Sequence, residues 1–278
     1  MIPLDRLGCS TITFRMLDLE GALGRIAGAG LRAVDLGLIA RFCPHADPVA
    51  ATAADGRRLA GQVEAAGLRI ASVNAWSLTH LNDPDSVELP YLRATLRLAA
   101  GVGAPVVSVQ PGRAVDREDW ADAAARVASQ LELLGAEARD VGVALAVEAP
   151  HKGTLAQEFD DVRALVDLLD EELVAIALDT SHVLNAGATI AEALDCYGPR
   201  VRHVHLRDYL DGSILVTPGD GEIDFAALAD GLERLGYEGS YSLELEARDA
   251  TADDMDRELR RALAHVTGTG VAERSRRG

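Results

Sequence analysis

Four apolar, strand-like runs in the second half of this chain end in side chains that bind metal ions. LAVE closes on Glu148, ALD on Asp179 and RHVH on His205, while YSLELE carries Glu244 and Glu246. His182 follows Asp179 by three residues, in DTSH. Three carboxylates and one imidazole at successive strand ends form an oxygen-rich donor set that suits one divalent ion, Mn²⁺, Mg²⁺ or Co²⁺, with Zn²⁺ also compatible. Two unit charges 4 Å apart repel by roughly 4 kcal/mol at an effective dielectric near 20, and three carboxylates make three such pairs. A divalent cation is expected to resolve that conflict. Any one of these residues taken singly reads equally well as a solvated loop residue or a salt-bridge partner, so the joint occurrence carries the argument. The residues alone leave Glu244 and Glu246 open as the last ligand, with Glu246 nearer the strand end.

Alternation within the strands gives these side chains a common direction. In VALAVE, Val143, Leu145 and Val147 share one face and Ala144, Ala146 and Glu148 the other. VAIALD splits the same way, with Asp179 on the face of Ala175 and Ala177. His203 and His205 share a face of the next run, and Ser242, Glu244 and Glu246 share a face of the last. His203 lies deeper than His205 and is expected to be a packed, hydrogen-bonded residue.

The elements that must hold this arrangement repeat along the chain. Strand-like runs start near Leu7, Ala33, Ile70, Val106, Val143, Val174, Val201 and Tyr241, with helix-period segments between them. Asp47–Pro48 reads as an N-cap with proline at the first helical position. Thr189 with Glu192 and Thr251 with Asp254 have capping-box spacing, and Asp224 reads as another cap. Gly30, Gly67 and Gly142 stand where helices should stop. Eight strand–helix units predict a single α/β domain, a (β/α)8 TIM barrel over residues 1–267, with the metal site at the C-terminal ends of strands five to eight and a loose tail over 268–278. A doubly wound sheet is disfavoured, because no glycine-rich phosphate loop follows the first strand.

Bulk properties narrow the partners. The formal charge is −17, from 44 acidic residues against 27 Lys plus Arg, which opposes a nucleic-acid backbone or an anionic membrane. The one basic stretch, ERSRR near the C-terminus, reads as a solvated terminus. Three widely spaced cysteines form neither a disulfide framework nor a zinc knuckle. Neither a basic leader followed by an apolar core nor a run of about 18 apolar residues is present. A cytoplasmic location is expected.

At these same residues the chain resembles the sugar phosphate isomerase/epimerase superfamily, the xylose isomerase-like TIM barrels that include ketose 3-epimerases, inosose dehydratases and endonuclease IV. VEAPHKGTL, ALDTSHVLNAG, VRHVHLRDYLDGSILVTPGDGEIDF and GYEGSYSLELE carry the resemblance. It implies one divalent metal held by Glu148, Asp179, His205 and Glu244, with the two glutamates exchanging protons with the substrate carbon and His182 contacting a substrate oxygen. Dimers and tetramers are common in the family, so a homo-oligomer is compatible with it. The chain departs from the epimerases, which carry an acidic residue where Thr154 stands and an arginine where Asp211 stands. The segment EAPHKGT is similar to the dehydratase branch and puts His151 and Lys152 beside the metal strand, as a base or substrate anchor or as a solvated loop pair. The PGDGEIDF loop, with Asp208, is read first as turn geometry and a helix cap.

The expected chemistry is carbohydrate metabolism by proton abstraction next to a carbonyl, on a sugar or another small polyhydroxy compound, through a metal-stabilised enediolate. Positioned acid–base groups supply about 10²–10⁴-fold, too little alone for a weak carbon acid. Reprotonation of the intermediate yields an epimer or an isomer, which is the reading taken, with a metal-assisted hydride shift as a further route to an isomer. Loss of a β-hydroxyl, the dehydratase or lyase outcome, is the alternative. Gln110, Trp76, His151, Lys152, His182 and Arg207 are the expected substrate contacts, while Phe14 and His80 read equally as packing. A nuclease is disfavoured by the charge and by Asn74 and Gln110 standing where extra histidines are needed. A non-catalytic sugar-binding barrel is the alternative from another class.

Overall fold

The computed structural model describes residues 1–269. The ERSRR stretch and nearly all of the expected tail lie outside the described residues. Eight parallel strands close into a barrel: β1 (Leu7–Ser10), β2 (Ala33–Ile39), β3 (Arg69–Trp76), β4 (Val106–Val109), β5 (Ala144–Glu148), β6 (Val174–Asp179), β7 (Val201–Leu206) and β8 (Tyr241–Leu243). Each lies beside its sequence neighbour, and β1 pairs with both β2 and β8, so the barrel has no free edge. The connections run through α1 (Leu19–Gly28), α2 (Ala53–Ala65), α3 (Glu88–Val102), α4 (Trp120–Asp140), α5 (Phe159–Leu168), α6 (Thr180–Asn185), α7 (Ile190–Tyr197) and α8 (Phe225–Arg234), and α9 (Ala252–Thr267) follows β8.

The two faces of each strand meet different surroundings, as the alternation requires. Leu145, Val147, Val174, Ile176 and Leu178 belong to the large apolar core that includes the helix side chains. Ala146 and Ala177, with Val106 and the flanking Ala144 and Ala175, form a separate small cluster on the opposite face. Small side chains leave room inside the barrel for polar ones, and Ser10, Asp35, Ser72, Ser108, His203 and Ser242 are all fully buried.

Local signals set most helix starts. Thr189 with Glu192 and Thr251 with Asp254 form reciprocal capping boxes, and Asp224 accepts from Ala226 N and Ala227 N. Asp47–Pro48 does not start a helix. Asp47 instead accepts from Val49 N and Ala50 N in a turn, and α2 begins at Ala53, where Thr52 and Asp55 make a capping box that satisfies two orphan amides at once. Gly30, Gly67 and Gly142 hold φ of 91°, 73° and 75°, the left-handed conformation that ends a helix at low cost.

Two features arise at the ends of barrel strands. Asp179 closes β6 and also caps α6, so the chain turns directly from strand into helix at a candidate ligand. After β7 a hairpin pairs Asp208–Leu210 with Ser213–Val216. Asp208 accepts from the backbone N–H of Tyr209, Gly219, Gly221 and Ile223 at 2.9–3.0 Å, which ties the PGDGEIDF loop down by turn geometry.

Candidate active site

Glu148, Asp179, His205 and Glu244 converge at the C-terminal mouth of the barrel, and each is at most 4% exposed. Register explains the convergence: Asp179 on β6 lies beside His205 on β7, which lies beside Ser242 on β8, two residues before Glu244. The β8 ladder stops at Leu243, short of the expected run to Glu246, although Glu244 N still reaches Leu206 O.

His205 Nδ1 stands 2.8 Å from Glu148 Oε1, and its Nε2 stands 3.3 Å from Asp35 Oδ2 and 3.9 Å from Glu244 Oε2. Burial opposes a charged imidazole, but Glu244, Glu148 and Asp35 raise its pKa well above the usual histidine value. Burial likewise opposes ionisation of Glu148, yet the His205 charge and hydrogen bond, with His151 and His182 nearby, hold it far below the usual carboxylate range. Glu148 Oε2 also accepts from Gln110 Nε2 at 3.2 Å. Glu244 accepts from Arg207 Nη1 at 3.1 Å and Asn74 Nδ2 at 3.4 Å. Its burial, against the pull of His205 and Arg207 and with the charges of Glu148 and Asp179, pushes its pKa up to about 8.

Asp179 Oδ1 accepts from Ser181 N, Ser181 Oγ and His182 N at 2.7–3.1 Å, while its Oδ2 is buried without a hydrogen-bond partner among the described residues. Single donor atoms of Asp179, His205 and Glu244 lie within 4.8 Å of one another, as do those of Glu148, Asp179 and His182. An unpartnered buried carboxylate oxygen within an acid–imidazole cluster fits a divalent cation, because such an oxygen is costly to desolvate without a positive partner.

Protein cations supply part of that compensation, which qualifies the expectation that a metal alone does so. Arg207 is 4% exposed and places Nη1 against Glu244 and Nη2 2.9 Å from Glu246 Oε1, so it is a counter-ion within the cluster. Glu246 faces Arg207 and, at 3.8 Å, Arg15, outside both donor clusters.

A cavity of about 180 Å³ opens over the cluster. Trp76, Gln110, His151, His182 and Arg207 line it, as expected of substrate contacts, together with Glu148, Glu244 and Glu246. Lys152 is exposed and does not line it. Phe14 is fully buried in the core, and His80 packs against Trp76 with ring centroids 5.3 Å apart. His182 packs against His151 with ring centroids 4.4 Å apart and planes tilted by 48°, and burial lowers its pKa to about 4, so the ring is neutral with Nδ1 unpartnered. Ile12, Ile39, Phe42 and Leu78 form an apolar wall that the alternation did not single out. Asp35 was also missed. Its signal is a lone carboxylate inside the apolar run AVDLGL.

The family profile described as "Xylose isomerase-like TIM barrel" matches residues 23–266. The chain belongs to this family. Within it, the chain is similar to an inosose dehydratase of Clostridium perfringens, at 32% identity over 160 residues covering 51% of this chain and 52% of that protein. It is also similar to one of Lacticaseibacillus casei, at 29% identity over 153 residues covering 49% and 51%. The matches span about half the length of these curated relatives. Among solved structures of the same fold, 3-keto-D-glucoside 4-epimerase YcjR from E. coli superposes with a TM-score of 0.75 at 18% identity, covering 95% of this chain and 99% of that one. The zinc-bound IOLI protein gives 0.75 at 19% identity, covering 96% and 99%.

Proposed function

We propose that the protein is a divalent-metal-dependent isomerase or epimerase acting on a sugar or sugar-like polyhydroxy carbonyl compound. The observation that carries this reading is the placement of Glu148, the last residue of β5, and Glu244, the residue after β8, in the lining of one cavity. Glu148, Asp179, His205 and Glu244 are the proposed metal ligands. When bound, a divalent ion of the Mn²⁺, Mg²⁺, Co²⁺ or Zn²⁺ type supplies Lewis acidity at the substrate carbonyl.

Glu148, held ionised, takes the proton from the carbon next to the carbonyl, and Glu244 returns one to the enediolate. Return to the same carbon on the opposite face gives an epimer, and return to the neighbouring carbon gives an isomer. His182, neutral and with Nδ1 free, hydrogen-bonds a substrate oxygen. Gln110 holds Glu148 Oε2, which orients the base. Trp76 is held by its indole N–H on Thr79 O at 2.8 Å and presents a fixed wall to the substrate.

The test is incubation of the metal-replete protein in D₂O with a panel of ketoses and inososes, followed by product separation. Solvent deuterium at carbon in an epimer or isomer is expected, with turnover of Glu148→Gln reduced by about 10²–10⁴-fold. An isomer formed without solvent deuterium counts against the enediolate and for a hydride shift. Undiminished turnover in Glu148→Gln counts against Glu148 as base.

Dehydration is the second reading. The similarity to inosose dehydratases favours it. A product lighter by one water from an inosose, and no epimer from any ketose, would select it.

A further inference from the structure

The cavity over the acid–imidazole cluster has two unlike halves. Most of its polar groups come from the segments that close β4 to β8, and the mechanism above uses them. The other half is Ile12, Ile39, Phe42, Trp76 and Leu78, from the segments that close β1, β2 and β3. Of these the mechanism uses only Trp76. Ile12 and Ile39 are buried and pack with Trp76. Phe42 and Leu78 line the same cavity, yet each is 39% exposed.

Both exposed side chains are presented by backbone that is unusual for their type. Leu78 holds φ of 72°, and Arg41, just before Phe42, holds φ of 62°. Left-handed backbone is unfavourable for a bulky residue and persists only where the surroundings over-determine it. Such surroundings are present. Ser77 donates from N and Oγ to the buried Glu88, Thr79 O accepts from Trp76 Nε1, and Thr79 Oγ1 accepts from Val87 N. Phe42 sits in the turn between β2 and the two-residue strand Cys43–Pro44, where Ala40 N donates to Trp76 O and Phe42 N to Ile39 O. The Arg15 guanidinium lies 4.6 Å from the centre of the Phe42 ring. Glycine or asparagine would sit at position 78 with less strain, so the leucine serves the cavity rather than the fold.

A hydroxyl set against this wall finds no partner in it and gives up hydrogen bonds to water. A phosphate fares worse. Arg207 is the one lysine or arginine lining the cavity among the described residues, its two terminal nitrogens are engaged by Glu244 and Glu246, and Glu148 adds a third carboxylate to the lining. We infer that Ile39, Phe42 and Leu78 form a specificity subsite for an apolar end of the substrate, so that the preferred substrate is an unphosphorylated polyhydroxy carbonyl compound ending in a methyl or other deoxy group. This rests on the reading of the adjoining polar half as the catalytic site.

The experiment takes the D and L ketohexoses, each with its 6-deoxy counterpart and its 6-phosphate. Binding to the metal-replete protein is measured by calorimetry, and turnover by product separation. In the configuration bound best, the 6-deoxy sugar is expected to bind about 10–100-fold more tightly than its parent, the range over which an apolar pocket rejects an added hydroxyl. The 6-phosphate should bind more weakly than the parent. Leu78→Asn and Phe42→Ser should each bring the 6-deoxy and parent affinities closer together, and asparagine tolerates the left-handed backbone at position 78. Should Leu78→Asn fail to fold, Phe42→Ser alone decides. Equal affinities within every pair, a tighter 6-phosphate, or a preference untouched by the folded variants overturns the inference. A 6-deoxy preference in binding without turnover of any sugar supports the subsite and defeats the isomerase reading, whereas turnover without that preference defeats the subsite alone. A protein that binds none of these sugars defeats both.

Discussion

Arg207 places one guanidinium nitrogen 3.1 Å from Glu244 Oε1 and the other 2.9 Å from Glu246 Oε1, with Asp179 Oδ2 3.9 Å from the first. These three carboxylates raise the Arg207 pKa further despite its burial, so the side chain is a permanent cation among them. Arg207→Met would leave Glu244 buried and uncompensated on that side. Urea denaturation of the metal-stripped variant should show a loss of about 3–5 kcal/mol, the usual cost of breaking a buried pair from one end. A loss below about 1 kcal/mol would mean that the cluster is balanced by His205 and solvent instead. Four donor residues and Arg207 could be picked out from the chain because each closes or follows an apolar run. Which partner each one takes could not, because that depends on the distance between strands.

At the scale of elements, the loop after β7 offers a clean separation of fold from chemistry. Asp208 accepts four backbone N–H groups, and a Cβ on Gly221 would collide with Asp208 Oδ1 and the Tyr209 carbonyl. Gly221→Ala should therefore lower stability by about 1–3 kcal/mol in thermal or urea unfolding. Its Zn²⁺ Kd should match that of the wild type, and a weakened Kd would mean that the loop helps to shape the metal centre. Thr251→Ala removes one half of the α9 capping box, and a loss of about 1 kcal/mol is expected by the same measurement. Capping boxes were readable because both partners sit three residues apart in one segment. Asp47–Pro48 misled because a turn and a helix start share the same local signal, and the better reciprocal cap at Thr52 won.

At the scale of the molecule, pH bears on stability through Glu88, which is 2% exposed at the start of α3 and clamps the loop after β3 through Ser77 N and Ser77 Oγ. Burial, partly offset by those hydrogen bonds, pushes its pKa up to about 7 from the ordinary 4.5. A carboxyl with a raised folded pKa contributes full stability below its unfolded value and loses it as pH climbs toward the folded one. Relative to Glu88→Gln, the wild type should thus lose up to about 3 kcal/mol between pH 4.5 and 7.5, read from urea midpoints across that range. A constant difference between the two proteins would show that Glu88 stays ionised in the fold. Among the described residues no helix is long and apolar enough to cross a membrane.

The order of the barrel strands, the inward faces of the last four of them and the donor types at their ends follow from the chain alone, since periodicity and capping are local. Closure of the barrel did the rest, because only closure brings Asp35 on β2 to the imidazole of His205 on β7 and sets Arg207 between Glu244 and Glu246. Those contacts join residues far apart in sequence, and their geometry depends on strand register and stagger, which no single segment encodes.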